Sequence, residues 1–67
     1  MKNSDVQLNE VYTCTSLLLS HPFKGKVVNL LDNSCIVEIV TVNDEDKATA
    51  RELQNRTVVS YKDMKVS

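Results

Sequence analysis

Glycine and proline each occur once in this chain, at Gly25 and Pro22. So few breakers leave no interdomain linker, internal repeat or low-complexity segment to divide it. Tryptophan is absent, and Tyr12, Phe23 and Tyr61 are the whole aromatic supply, so a core must be built mainly from Val, Ile and Leu. No apolar run exceeds the three residues of Leu17-Leu18-Leu19, far short of the roughly 20 that a membrane-spanning helix needs, so no membrane partner is expected. Neither charge dominates: eight Lys and Arg stand against nine Asp and Glu, a formal charge of −1. The whole-molecule field therefore offers a polyanion no general attraction, and any nucleic-acid role must rest on a local patch.

Metal and catalytic signatures are also missing. Cys14 and Cys35 have no C-x-x-C spacing and are joined by a single histidine, His21, which excludes the usual zinc patterns. Asp44-Glu45-Asp46 lacks the glycine and final glutamate of a calcium loop, and reads as a solvated turn or helix cap. No serine or cysteine can be paired with His21 and an orienting carboxylate, so a surface histidine is the simpler reading. The expectation is a protein that is not an enzyme and takes no metal or cofactor. Polar Met1-Lys2-Asn3-Ser4-Asp5 leads into no apolar signal core, so a reducing cytoplasm and two free thiols are expected.

At 67 residues the chain makes one domain, residues 1–67, with 1–8 expected to be flexible. A domain of this size buries only about 60% of its unfolded surface. Its 42% hydrophobic and 25% charged content is nevertheless that of an ordinary globular protein.

What is present is β-forming sequence. Lys26 to Leu31 and Cys35 to Val42 are two β-branched-rich runs on either side of Asp32-Asn33-Ser34, the pattern of a hairpin entered through Gly25. Both runs carry apolar residues at odd and even positions, which predicts strands buried on two faces, with Glu38 as a solvent window. A first strand is read near Glu10 to Thr15, with Tyr12 and Cys14 on one face and Thr13 and Thr15 on the other. Leu17-Leu18-Leu19 fits core or interface equally well, and His21-Pro22 ends it. Asn43 to Asp46 can cap a short helix through Gln54, although a loop with one helical turn fits residues 43–55 as well. Arg56 to Tyr61 reads as a strand, Lys62-Asp63-Met64 as a tight turn and Lys65-Val66-Ser67 as a last short strand.

Lys24 and Lys26 flank Gly25 and, with Arg51, Arg56, Lys62 and Lys65, can form a modest phosphate-contacting surface. Phe23 either stacks on a base or plugs the end of the core, the plug being favoured in so small a domain.

Phe23-Lys24-Gly25-Lys26-Val27-Val28, then Ser34-Cys35-Ile36-Val37-Glu38, then Arg56-Thr57-Val58-Val59-Ser60-Tyr61-Lys62-Asp63-Met64-Lys65-Val66 resemble the YkvS-like family of small bacterial proteins of unknown function. The resemblance spans Glu10 to Val66. It implies a small SH3-like five-stranded antiparallel barrel related to KOW-type modules, with a glycine before the second strand and a 3₁₀ turn before the last. Gly25 and Lys62-Asp63-Met64 match those positions. Ser60, Tyr61 and Met64 depart from the family's Asn, His and aromatic, which implies a different binding specificity.

The fold expected is therefore an all-β SH3-like barrel of five antiparallel strands with one short helix or helical turn. The function expected is a non-enzymatic binding module that contacts RNA or a ribonucleoprotein through Phe23, Lys24, Lys26, Arg56, Tyr61 and Lys62. The alternative is a protein-interaction module or homodimer that uses a sheet edge or an apolar patch.

Overall fold

A computed structural model of the protein describes residues 3–66. Five strands, β1 (Val11–Cys14), β2 (Phe23–Leu30), β3 (Ser34–Thr41), β4 (Arg56–Ser60) and β5 (Met64–Val66), form one antiparallel sheet, and α1 (Lys47–Glu52) precedes β4. The order across the sheet is β4-β3-β2-β1-β5. The all-β, five-stranded architecture with one short helix is the one expected. Closure into a barrel is not part of it, because β4 and β5 remain the two edges of an open ladder.

The sheet must nevertheless curl. Edges four strand spacings apart would lie about 19 Å from each other in a flat sheet. Only the 3₁₀ turn Tyr61–Asp63 links β4 to β5, and four residue steps at its rise cover about 8 Å. Two irregularities in the β2–β3 ladder supply curvature: the register skips Val40 opposite Lys24/Gly25 and Val28 opposite Val37/Ile36. Each leaves one extra residue in one strand, which bends that strand and increases its twist.

Gly25 sits at the first of these skips, within β2 rather than before it, since β2 begins at Phe23 and not at Lys26. A Cβ there would lie 2.9 Å from both Cβ and Cγ2 of Val37 and 3.5 Å from Cys14 Sγ. Glycine is thus required by the close approach of β3, and its backbone angle is ordinary.

The concave face holds the core. Tyr12 and Cys14 of β1, Phe23 and Val27 of β2, Cys35, Val37 and Ile39 of β3, Val59 of β4 and Met64 of β5 are all buried. Alternation places these residues on one side, as in any half-buried sheet. The expected two-sided burial of β2 and β3 does not occur: Leu30, Leu31 and Val40 are exposed, while Val28 and Ile36 are half-buried. Among the described residues no second layer covers the convex side. Glu38 is exposed there, as expected.

Two segments outside the sheet complete the core. Val6, inside the stretch expected to be flexible, is only 3% exposed, and the Gln7 N–H donates to Tyr12 Oη at 3.0 Å; residues 1 and 2 of that stretch lie outside the described residues. Ala50 of α1 is buried as well. Residues 43–55 resolve as a 3₁₀ turn at Asp44–Asp46 running into α1, with Asn43 Oδ1 accepting the Glu45 N–H at 2.9 Å as an N-cap. The helix ends through Gln54 and Asn55, both left-handed at φ 58° and 61°, with the Asn55 N–H donating to the Ala50 carbonyl at 2.9 Å. The Tyr61 expected at the end of β4 instead opens the 3₁₀ turn, and the last strand runs Met64–Val66, with Ser67 outside the described residues. Among the described residues no helix is long and apolar enough to cross a membrane.

Candidate nucleic-acid interface

Pairing of β1 with both β2 and β5 sets Thr13 directly between Lys24 and Lys65. All three side chains share the convex face, and successive cross-strand neighbours place the two lysine Cβ atoms about 10 Å apart. Two open hollows meet beside this row. One, of about 290 Å³, is lined by residues including Thr13, Pro22, Lys24, Thr41 and Asn43. The other, of about 200 Å³, is lined by Thr13, Thr15, Pro22, Lys62, Asp63 and Lys65. Thr13 and Pro22 belong to both, so three exposed lysines border one continuous depression with hydroxyl and apolar groups on its floor and a single carboxylate, Asp63, at its rim.

The depression keeps its shape because its walls are fastened. Asp46, 3% exposed, is the buried charged side chain of the described residues. Its Oδ1 accepts the Ser20 N–H and its Oδ2 the His21 N–H, each at 3.0 Å. Such bonds satisfy a buried carboxylate and fix the loop entering Pro22. On the other side, Thr15 N and Oγ1 both donate to the Asp63 carbonyl, at 3.0 and 3.3 Å. Asp46, expected in a solvated turn or helix cap, is instead buried, and its carboxylate fastens a loop 25 residues away in sequence.

The six residues expected to bind do not form one surface. Lys24 and Lys62 border the depression. Lys26 and Arg56 lie in a neighbouring row, Val11, Lys26, Glu38, Arg56 across four strands, where the carboxylate stands between the two cations. Phe23 and Tyr61 are 2% and 4% exposed, so neither offers a ring face to a base. Phe23 is the core plug, and Tyr61 Oη donates to the Leu31 carbonyl at 2.6 Å. Phe23 thus takes the favoured of its two expected places, and Tyr61, expected among the contact residues, is turned inward as well, because a core so poor in aromatics takes both rings. Thr13 was not among the residues expected to bind, and Lys65, expected only within the wider basic surface, is set directly beside it. Their signal lies in the β1–β5 pairing, which joins residues about fifty positions apart.

The remaining reactive groups lie elsewhere. Cys14 and Cys35 are free and fully buried. Burial, then the proximity of Cys35, pushes the Cys14 thiol up to about 11, with a Gly25 backbone hydrogen bond opposing in part. Burial also raises that of Cys35, whose Sγ lies 3.4 Å from Met64 Sδ. Both thiols are therefore protonated core groups at neutral pH. His21 Nε2 faces Glu45 Oε2 at 3.4 Å on the surface. Among the described residues no group of three or more His, Cys, Asp or Glu is placed to hold a metal ion. Leu19 is core, whereas Leu17 is fully exposed and Leu18 largely so.

Comparison of the chain with protein-family models, with curated proteins and with solved structures returns no match.

Proposed function

We propose that the protein is a small non-enzymatic binding module of SH3-like, KOW-related type that acts in the cytoplasm and contacts the phosphates of RNA or a ribonucleoprotein through Lys24, Lys62 and Lys65. The carrying observation is the Lys24, Thr13, Lys65 row beside a depression that Lys62 also borders. Lysines at that spacing, with threonine hydroxyls between them, suit a phosphate backbone; with both nearby rings buried, the contact is to phosphate and sugar rather than to stacked bases. Two protonated, buried thiols and a histidine that faces the surface carboxylate of Glu45 support binding rather than nucleophilic catalysis.

Amide NMR of the labelled protein during titration with short single-stranded RNA at two salt concentrations tests this reading. Shifts are expected at Thr13, Lys24, Lys62 and Lys65, with affinity falling with salt at a log–log slope of about −2 for three phosphate contacts. Absence of shifts at low salt removes the reading. Exposed Leu17 and Leu18 favour a second one, a protein partner that covers this loop. In that case Leu17→Ser with Leu18→Ser abolishes the interaction, whereas charge reversal at Lys24 does not.

A further inference from the structure

The two edges of the sheet differ in how they are protected. β5 is three residues long and carries Lys65, one of the usual devices against edge-to-edge pairing. β4 is five residues long, Arg-Thr-Val-Val-Ser, with no proline, and its only charge is at the first position. Its ladder with β3 runs without a register skip, so the strand is regular along its length.

The direction of its free backbone groups follows from the register. The Ile39 N–H donates to the Asn55 carbonyl and the Tyr61 N–H to the Asn33 carbonyl. In an antiparallel ladder hydrogen-bonded pairs recur every second residue, so Thr57 and Val59 are the residues of β4 bonded to β3. Val58 and Ser60 therefore direct their N–H groups away from the sheet, as Arg56 and Val58 do their carbonyls. The Arg56 N–H is already used, donating to the Leu53 carbonyl at 3.2 Å. Val58 is 56% exposed on the convex face, next to half-buried Ile36.

We propose that this edge pairs with the same edge of a second copy, antiparallel and centred on Val58, to make one sheet continuous through a two-fold axis. The segment is complementary to itself in that register. Val58 meets Val58 of the second copy with both N–H···O bonds formed, Ser60 N–H meets the free Arg56 carbonyl, and each Arg56 side chain lies opposite a serine. A parallel arrangement instead sets Arg56 against Arg56. On the convex face the pairing extends the Ile36 and Val58 row into its own copy, covering apolar surface that the monomer leaves open. The depression reaches β3 only at Thr41, past the Ser34 to Glu38 stretch that pairs with β4, so this pairing and RNA contact stand or fall separately.

Sedimentation of the full chain from micromolar to millimolar concentration, with amide hydrogen exchange at both ends of the range, tests the proposal. A monomer–dimer equilibrium is expected, together with slowing of the Val58 and Ser60 amides by at least tenfold as dimer accumulates. Val58→Lys, which sets like charges directly opposite each other across the axis, is expected to give a folded monomer with the dispersed amide spectrum of the parent. A monomer throughout the range overturns the proposal, as does a dimer in which the Val58 and Ser60 exchange rates do not change. The exchange measurement needs no variant, so it decides the matter even where Val58→Lys fails to fold.

Discussion

The concave and convex faces of this sheet are built from the same strands by the same alternation, yet they reach opposite states. On the concave side Val27, Val37, Cys14 and Cys35 are fully buried, and a glycine is needed where β2 and β3 approach most closely. On the convex side Val40 and Val58 are each 56% exposed, among Lys24, Lys26, Glu38 and Arg56. A β-branched residue therefore serves two purposes here. Inside it fills volume, while outside it favours the extended backbone and contributes little burial.

The comparison is sharpest at Gly25. Gly25→Ala is expected to destabilise the protein by about 1–3 kcal/mol, since Val37 must shift to admit a methyl group. Val37→Ala removes the Cγ2 contact, so the double variant should be less destabilised than the sum of the singles, with the coupling read from denaturant unfolding. A near-neutral Gly25→Ala would mean that the concave face is looser than its burial indicates.

Truncation on opposite faces is the next test. Val27→Ala is expected to cost about 2 kcal/mol and Val40→Ala less than about 0.5, measured as midpoint shifts at constant slope. Equal costs would break the distinction between the faces.

Alkaline pH probes the concave side without mutation. The folded-state value of Cys14, about 11, lies above its ordinary 9.0, so the native state holds the proton more tightly than the unfolded chain. The associated stability is fully present below about pH 9 and is lost as pH rises toward 11, by about 1–3 kcal/mol. Unfolding curves at pH 8 and pH 10.5 should show the loss, and Cys14→Ala should flatten it.

The smallest effect belongs to the convex row. Glu38→Lys places three cations side by side between β2 and β4 and is expected to cost about 0.5–1 kcal/mol, diminishing in high salt.

Much of the strand layout could be read in advance, because alternation and breakers are local signals. Tyr12 and Cys14 share a face, Glu38 points to solvent, and Asp32-Asn33 turns the hairpin that Leu31 N–H and the Ser34 carbonyl close at 2.8 Å. The site was far less legible. Nothing adjacent to Lys65 announces Thr13 as its neighbour, nothing in Asp44-Glu45-Asp46 distinguishes the buried member, and Leu17 and Leu19 are indistinguishable until the loop is folded.

By itself the sequence determined the number of strands, their approximate extents, the hairpin and the residue sets that face together, since period-two alternation is a property of the extended backbone. Only the tertiary structure decided which set is buried, that both nearby rings turn inward, that Asp46 fastens the loop before Pro22, and that β5 joins β1. Those outcomes depend on the curl of the sheet and on pairings between distant segments. They depend also on which side of the sheet the other described segments cover, and no local pattern encodes any of the three.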